Sequence, residues 1–138
     1  MVAGIGIDLI EIHRVRESIE RNGERFLEKL FTPSEIAFCS SKADPAQHYA
    51  ARFAAKEAIY KSAPPDCQKY LQWQTVEIIT LPNGAPEVQF LNEGQNLAKM
   101  GYYIKISLTH NKDTAACSAV CLQYSETSQM TNNSHNVE

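Results

Sequence analysis

The segment between Asp44 and Pro64-Pro65 constrains the fold more than any other part of this sequence. Asp44-Pro45-Ala46-Gln47 has the composition of a helix start, because aspartate can cap the first turn and proline is tolerated at the first helical position. Alanine and apolar side chains then recur at helical spacing until the two prolines, which cannot continue a helix. The sequence therefore predicts one long helix, and its many alanines would let it pack closely against a sheet.

A strand and three shorter helices are predicted before the long helix. Residues 2–10 are rich in β-branched side chains and in glycines that permit close approach, which predicts a buried strand with Asp8 near its carboxyl end. Residues 11–30 have helical spacing with a break at Asn22-Gly23, so two short helices are expected there. Thr32-Pro33-Ser34-Glu35 has the pattern of a capping box and predicts the start of the third.

Four strands and one short helix are predicted after the long helix. The strand patterns occupy residues 76–81, 88–91, 103–109 and 115–122. Asn83-Gly84 suits a hairpin turn with positive φ values, and Gly101 would close a short helix over residues 92–100. His110 then falls at a strand end. The predicted fold class is α+β, with a long helix packed on a mainly antiparallel sheet.

Composition limits the classes of protein that this chain can represent. At 138 residues, with 43% hydrophobic and 21% charged side chains, it has the size and composition of one globular domain. A net charge of −3 argues against general nucleic-acid binding, which needs a broad basic surface. Asp8 and Glu11 interrupt the apolar N-terminal run, so neither a signal peptide nor a membrane span is expected, and a cytoplasmic location is predicted.

The four cysteines, Cys39, Cys67, Cys117 and Cys121, lack the CxxC spacing of a metal or redox site. Only Cys117 and Cys121 are close in sequence, and on one strand they would share a face at a separation too large for a disulfide. We therefore expect four reduced cysteines that fill space.

The C-terminus differs in composition from the rest of the chain. From Ser125 onward it is mostly serine, threonine, asparagine and glutamine, and its only large apolar residues are Met130 and Val137. Such a segment cannot bury enough apolar surface to order itself. The predicted organisation is one domain, residues 1–124, followed by a polar, disordered tail, residues 125–138.

Two acidic residues far apart in the sequence could meet at one metal ion. Asp8 lies in an apolar strand, where an unpaired carboxylate is costly unless a metal, a cation or hydrogen-bond donors accompany it. Glu57 lies on the long helix, and both would offer the oxygen ligands that a hard divalent cation prefers. Lys61, one turn beyond Glu57, would meet a phosphate, so the pattern suggests phosphate chemistry.

Each of these residues has a simpler explanation when it is taken alone. Glu57 and Lys61 have the i,i+4 spacing of an ordinary ion pair on an exposed helix. An aspartate at a strand end, such as Asp8, can cap the helix that follows. A histidine such as His110 is more often a loop residue than a ligand. The functional interpretation therefore depends on the whole set of motifs.

Four motifs, in this order and at these separations, resemble those of one family. They are Gly4-Ile5-Gly6-Ile7-Asp8, Phe31-Thr32-Pro33-Ser34-Glu35, Arg52-Phe53-Ala54-Ala55-Lys56-Glu57-Ala58 with Lys61, and Ile106-Ser107-Leu108-Thr109-His110. The sequence resembles the holo-acyl-carrier-protein synthases, the small phosphopantetheinyl transferases, over residues 2–123. The block Phe53-Ala54-Ala55-Lys56-Glu57-Ala58 is the strongest element of the resemblance.

The resemblance implies transfer of 4′-phosphopantetheine from coenzyme A to a serine of an apo acyl carrier protein, with release of adenosine 3′,5′-bisphosphate. It implies a role in lipid biosynthesis, a homotrimer with active sites between subunits, and Mg²⁺, which Mn²⁺ could replace. Asp8 and Glu57 would be the metal ligands, and Lys61 would stabilise the departing bisphosphate. The contacts to coenzyme A would come from four basic side chains: Arg52, Lys56, Lys61 and His110.

A docking surface for the carrier protein is also expected. Arg14, Arg21 and Arg25 recur at about seven and four residues, and on a continuous helix they would form one basic stripe. Acyl carrier proteins are acidic, so such a stripe would steer and dock one. The alternative is a solvated surface of mixed charge, because three glutamates are interleaved: Glu17, Glu20 and Glu24.

Two segments depart from the family pattern. After Lys61 the family commonly continues into a glycine-rich segment that wraps nucleotide phosphate, whereas this chain has Ser62-Ala63-Pro64-Pro65-Asp66. Asn111-Lys112-Asp113-Thr114 lacks the aromatic residue often found at the position of Thr114. Two rival functions stay open: a non-catalytic protein that binds a carrier or coenzyme A, and a Mg²⁺-dependent phosphohydrolase that uses the same acids.

Overall fold

Residues 1–124 are the part of the chain that the computed structural model describes, and within them the chain forms five strands and five α-helices. In chain order these are β1 (Val2–Glu11), α1 (Ile12–Asn22), α2 (Glu24–Leu30), α3 (Pro33–Ser40), α4 (Pro45–Ser62), β2 (Val76–Thr80), β3 (Pro86–Phe90), α5 (Gln95–Lys99), β4 (Tyr102–His110) and β5 (Thr114–Gln123). Two 3-10 helices, Pro65–Tyr70 and Asn92–Gly94, follow α4 and β3. The predicted polar tail, residues 125–138, lies outside the described residues.

The predicted long helix is α4, and it packs on the larger sheet as expected. It ends at Ser62, just before Pro64-Pro65, and its buried face is mostly alanine. A Cβ atom added at Gly4 or Gly6 would collide with the backbone oxygen of Ser62 or Ala58. The glycines of β1 and the alanines of α4 together therefore allow the close approach of helix and sheet.

The strands confirm an α+β fold with antiparallel pairing, and they form two sheets. β1, β5 and β4 make a three-stranded sheet in that order, whereas β2 and β3 form a separate hairpin. In the larger sheet Asp8 lies opposite Cys117, which lies opposite Leu108. Because β1 is an edge strand packed against α4, Asp8 lies at the border of the sheet beside that helix.

Of the two predicted helix caps, the one at Thr32 is formed and the one at Asp44 is not. Thr32 accepts a hydrogen bond from the Glu35 N–H at 3.3 Å, and Glu35 accepts one from the Thr32 N–H at 2.8 Å, which completes the capping box. The Asp44 carboxylate instead accepts hydrogen bonds from Arg16 at 2.9 and 3.2 Å. This partner lowers the pKa of Asp44. The guanidinium offers two hydrogen bonds and a full opposite charge, whereas a cap would offer a bond from one neutral N–H.

Glycines at two predicted breaks adopt the left-handed conformation. Gly23 has a φ of +56° and separates α1 from α2, as expected. In the hairpin Gly84 has a φ of +88°, but the positive φ expected at Asn83 is wrong. Asn83 instead accepts a hydrogen bond from the Ala85 N–H at 3.0 Å, within a connection over residues 81–85. A two-residue turn would require a positive φ at Asn83, but the longer connection does not.

Two hydrophobic clusters form the core around α4. One joins the C-terminal half of α4 to both sheets, and the other joins its N-terminal half to the three preceding helices. All four cysteines are buried and unpaired, as predicted, and burial raises the pKa of the Cys117 thiol to about 12. No helix in residues 1–124 is both long and apolar enough to cross a membrane.

Candidate active site

The Asp8 carboxylate meets the C-terminal half of α4 at the border of the larger sheet. Lys61 Nζ donates hydrogen bonds to Asp8 Oδ1 at 3.0 Å and to the Ile7 carbonyl oxygen at 3.2 Å. Glu57 lies one turn earlier on α4, on the same side of the helix as Lys61. The side chains of Lys61 and Asp8 are 52% and 17% exposed. The fold thus brings Asp8 and Lys61 into contact, with Glu57 one turn away.

The simpler explanations of these residues do not match the structure. Asp8 does not cap the next helix: α1 begins at Ile12, its N-cap position is Glu11, and no side chain caps it there. Lys61 forms its ion pair with Asp8 rather than with Glu57, although Glu57 has the i,i+4 spacing. An ion pair that crosses from the long helix to the edge strand accounts for both residues.

Glu57 also lines a cleft of about 210 Å³ between α4 and the segment that follows the first 3-10 helix. The other side of the cleft carries the apolar side chains of Leu71, Trp73 and Val76, and Tyr60 completes the helix side. A carboxylate next to apolar walls suits a ligand in which a charged group continues into a less polar arm.

The donor set fits a hard cation held by few protein ligands. Among residues 1–124, no group of three or more His, Cys, Asp or Glu side chains could hold a metal ion. Mg²⁺ is commonly bound by one or two carboxylates together with waters and phosphate oxygens, whereas structural zinc takes four protein ligands. The chemistry of Asp8 and Glu57 therefore fits Mg²⁺ and not structural zinc.

Lys56, next to Glu57 in the sequence, points into the protein. Its ammonium donates hydrogen bonds to Glu35 at 2.6 Å, to the Leu30 carbonyl at 2.9 Å and to the Trp73 carbonyl at 2.7 Å. Burial lowers the pKa of Lys56, and the Glu35 carboxylate opposes that change. An ammonium has three donors, so none is left here for the contact to coenzyme A that was predicted for Lys56.

Basic side chains surround Phe38 near the N-terminal end of α4. The guanidinium of Arg52 lies 4.2 Å from the centre of the Phe38 ring, and the ammonium of Lys42 lies 4.5 Å from it. The ring of His48 is 5.9 Å from that of Phe38 and 6.5 Å from that of His110. We call Lys42, His48, Arg52 and His110 the basic cluster. It contains two of the predicted coenzyme A contacts, Arg52 and His110.

Lys42 and His48 were not predicted from the sequence. His48 precedes Arg52 by one helical turn, and this spacing could have revealed it. Burial, Arg52 and Lys42 lower the pKa of His48. Arg52 donates a hydrogen bond to Thr80 at 2.8 Å, while its buried Nε has no partner among the described residues. Arg52 is 3% exposed, so an anion drawn to the positive charge of the cluster would contact the exposed Lys42 and His110 rather than the buried Nε.

The basic cluster contacts the first half of α4, and the acidic site contacts the second half. Along the helix axis His48 and Lys61 are thirteen residues or about 20 Å apart, whereas Arg52 and Glu57 are five residues or about 8 Å apart. The fold therefore gathers Asp8, Glu57 and Lys61 in one place and puts Arg52 and His110 in another.

Arg14, Arg21 and Arg25 are all exposed, but they do not lie on one continuous helix. Arg14 and Arg21 belong to α1, whereas Arg25 belongs to α2, beyond the break at Gly23. The condition for a single basic stripe is therefore not met. Beside Arg14 lies a groove of about 290 Å³, which we call the α1 groove. Its other lining residues are Ile10, Val15, Ser18, Phe26 and Phe53.

The prediction of a buried strand over residues 2–10 is wrong, because the outer face of β1 exposes a row of apolar side chains. Ile5, Ile7 and Leu9 are 73%, 70% and 64% exposed, and Val2 extends the apolar surface at the start of the strand. Residues two apart on a strand share a face, so Ile5, Ile7 and Leu9 form one continuous row. A contiguous apolar patch of this kind is typical of an interface with another protein.

Comparisons with known proteins reveal relatives over most of the chain. The family model of the 4′-phosphopantetheinyl transferase superfamily matches residues 4–120. The holo-[acyl-carrier-protein] synthase of Maridesulfovibrio salexigens is 43% identical over 122 residues, which cover 87% of this chain and 98% of that protein. The holo-[acyl-carrier-protein] synthase of Koribacter versatilis is 36% identical over 122 residues, with the same two coverages, 87% and 98%.

Solved structures of similar proteins share the fold. The Helicobacter pylori holo-[acyl-carrier-protein] synthase in complex with coenzyme A has a TM-score of 0.71 and 28% identity, covering 86% of this chain and 99% of that one. The Mycobacterium tuberculosis acyl carrier protein synthase has a TM-score of 0.69 and 32% identity, covering 90% of this chain and 100% of that one. The predicted fold class and family are confirmed.

Proposed function

This chain belongs to the 4′-phosphopantetheinyl transferase superfamily, and from this premise we propose that it acts as a holo-[acyl-carrier-protein] synthase. It transfers 4′-phosphopantetheine from coenzyme A to a serine of an apo acyl carrier protein and releases adenosine 3′,5′-bisphosphate. The observation that carries the proposal is the contact of Lys61 with Asp8, one turn from Glu57 and its cleft. Two carboxylates and a mobile ammonium are the groups that phosphoryl transfer needs at one place.

In this reaction the chain positions the reacting groups and stabilises charge. Asp8 and Glu57 would hold Mg²⁺, which when bound neutralises the pyrophosphate of coenzyme A. The serine oxygen forms a bond to the phosphorus of the pantetheine phosphate while the bond from that phosphorus to the bridging oxygen breaks. A water held by Asp8 or Glu57 relays the serine proton. Lys61, whose side chain is 52% exposed, is free to turn from Asp8 and stabilise the departing bisphosphate.

The basic cluster binds the nucleotide phosphates of coenzyme A. The exposed Lys42 and His110, with the positive charge of Arg52 close to them, support this assignment. Arg52 precedes Lys61 by nine residues, about 14 Å along α4, and we propose that one subunit supplies the basic cluster and its neighbour the acidic site. The exposed row on β1 supports such an assembly, and the proposed state is a homotrimer with active sites between subunits.

The carrier protein docks at the α1 groove. An acidic carrier is attracted by the exposed Arg14, Arg21 and Arg25, which lie on two adjoining helices. The aromatic side chains of Phe26 and Phe53 in the groove accept apolar side chains of the carrier. Arginines that steer and apolar residues that anchor are the usual division of roles at an interface.

A non-catalytic protein that binds a carrier or coenzyme A is the second candidate. The segment after Lys61 favours it, because α4 ends at Ser62 and residues Pro65–Tyr70 form a 3-10 helix with Cys67 buried. This segment has no glycine-rich backbone with which to surround a phosphate.

Mass spectrometry of an apo acyl carrier protein incubated with coenzyme A and Mg²⁺ tests the proposal. We expect the carrier to gain the mass of phosphopantetheine, and a chelator to prevent the gain. An unmodified carrier that still binds the chain would support the second candidate. Consumption of coenzyme A without modification of the carrier would indicate a phosphohydrolase. Repeating the assay with Mn²⁺ tests whether that ion replaces Mg²⁺.

Two further experiments test the residues and the assembly. Asp8→Ala and Glu57→Ala should each abolish metal-dependent modification of the carrier. Circular dichroism should show that the fold of each variant is intact. If one variant keeps its turnover, the residue it replaces is not a metal ligand. Light scattering should give the mass of a trimer, whereas a fully active monomer would contradict the shared active site. The cytoplasmic location and the role in lipid biosynthesis stay predictions.

A further inference from the structure

We propose that Trp73 is a positioning residue that joins the α1 groove to the cleft beside Glu57, so that one indole ring sets both where the carrier docks and where its serine enters. The inference rests on the proposed function, because it assumes a carrier in the groove and a phosphate in the cleft. It assigns a role to a residue outside the four family motifs.

The ring of Trp73 lies between the two cavities. It stacks on Phe53 with the ring centres 5.2 Å apart and the ring planes at 24°. Phe53 lines the α1 groove, whereas Trp73 lines the cleft that also contains Glu57. A carrier side chain that presses on Phe53 therefore presses on the wall of the cleft.

The backbone of Trp73 is held in place by α4. Its carbonyl oxygen accepts a hydrogen bond of 2.7 Å from Lys56 Nζ, and Lys56 directly precedes Glu57 in that helix. The next residue, Gln74, donates hydrogen bonds to the carbonyl oxygens of Glu28 and Phe31 at 2.7 and 2.8 Å.

These bonds tie the Trp73 segment to α4 and to the end of α2. The backbone of Trp73 is thereby fixed relative to Glu57, which places the indole ring against Phe53.

Removing the ring should impair docking and chemistry together. Without the indole, Phe53 loses its stacking partner and the carrier loses a firm groove wall, so the KM for the carrier rises. The cleft also widens beside Glu57, so the serine is held less accurately and kcat falls, because small errors in position are costly in enzymes. A residue that only stabilised the fold would lower the amount of active enzyme without raising the KM for the carrier.

The first test compares Trp73→Ala and Trp73→Phe with a matched control, Phe90→Ala. Phe90 is a partly buried aromatic residue that packs on the sheet core and lines neither cavity. We expect Trp73→Ala to raise the KM for an apo carrier about tenfold and to lower kcat about tenfold. Trp73→Phe keeps an aromatic wall and should recover most of both losses. Kinetics of Trp73→Ala that match those of Phe90→Ala would overturn the inference.

The second test uses fluorescence and does not depend on catalysis or on the folding of a Trp73 variant. Trp73 is the only tryptophan in the chain, so its emission reports on this position alone. Adding an apo carrier that lacks tryptophan should shift the emission of the wild-type chain, and Phe53→Ala should remove most of the shift. Unchanged emission at carrier concentrations that saturate the wild-type enzyme would overturn the inference.

The two proposals fail in different ways. If the wild-type chain transfers nothing to the carrier, the proposed function fails, and the inference fails with it. If the wild-type chain transfers phosphopantetheine and Trp73→Ala behaves like Phe90→Ala, only the inference fails.

Discussion

Two lysines on α4 form ion pairs of the same chemical kind in opposite environments. Lys56 pairs with Glu35 at 2.6 Å, and the two side chains are 3% and 0% exposed. Lys61 pairs with Asp8 at 3.0 Å, and the two side chains are 52% and 17% exposed. The buried ammonium has all three donors engaged within the protein, whereas the exposed one can leave its partner for another anion.

The comparison shows how one helix carries a structural residue and a proposed functional residue close together. In the buried pair, desolvation makes any missing partner costly, so the pair fixes the elements around it. In the exposed pair, water can replace either partner, so the pair contributes little to stability and its members remain available to a substrate. Predictions that separate stability from activity can therefore test the assignment of each lysine.

The largest effect on stability is expected from Lys56→Met. The substitution leaves the Glu35 carboxylate buried without a cation, which costs about 3–5 kcal/mol of unfolding free energy. Urea denaturation followed by circular dichroism measures the loss. The double variant Lys56→Met with Glu35→Gln removes both charges but should recover only part of the loss, because both Glu35 oxygens accept backbone N–H bonds and glutamine can replace only one of them. A single variant within about 1 kcal/mol of the wild type would show that the buried pair is not a structural hub.

Lys61→Ala should give the opposite result. We expect the unfolding free energy to change by less than about 1 kcal/mol, because the lysine is half exposed and the pair is screened by solvent. The rate of carrier modification should fall about 100-fold, since a group that stabilises developing charge is lost. Lys99→Ala, at the end of α5, is the matched control and should change neither quantity. Normal turnover in Lys61→Ala would move Lys61 out of the catalytic site.

High pH should distinguish the two lysines in a smaller way. Burial lowers the pKa of Lys56 below its ordinary value of 10.5, so folding disfavours its protonated form. At a pH between the folded and the unfolded pKa of Lys56, the unfolded chain binds more protons at this site than the folded chain does. The contribution of Lys56 to stability therefore rises with pH in this range. NMR titration of the lysine side chains should show one resonance that titrates below the ordinary value. Its absence would contradict the assignment.

The smallest effect is expected at a third pair, Arg16 with Asp44, on the surface. Arg16→Ala should cost less than about 1 kcal/mol at neutral pH, although both guanidinium hydrogen bonds are lost. Arg16 lowers the pKa of Asp44, so this contribution is complete above the ordinary value of 3.8 and disappears as pH falls through the lower folded value. Chemical denaturation at pH 7 and near pH 2 measures the difference. A larger loss at the lower pH would contradict it.

Much of the fold could be predicted from local patterns. Pro64-Pro65 set the end of α4, Asn22-Gly23 the break between α1 and α2, and Thr32 the start of α3. These signals depend on residues close in sequence, so they can be recognised without the tertiary structure. The cap at Asp44 could not be predicted in the same way, because its competitor, Arg16, comes from a different helix.

The candidate site was predictable to a similar extent. The family motifs pointed to Asp8, Glu57 and Lys61, and the fold brings Asp8 into contact with Lys61. Lys42 and His48 join the basic cluster only because α3, α4 and β4 converge around Phe38. No local spacing relates Lys42 to His110.

By itself the sequence determined where α4 ends, how closely its alanines can approach the glycines of β1, and which family the motifs resemble. It did not show which of Lys56 and Lys61 is buried, since both are lysines on one helix, roughly 140° apart around its axis. Only the tertiary structure decided which one is buried, by placing Glu35 of α3 and the carbonyl oxygen of Trp73 against Lys56. The physical reason is that desolvation depends on residues distant in sequence, whereas helix formation depends on neighbours.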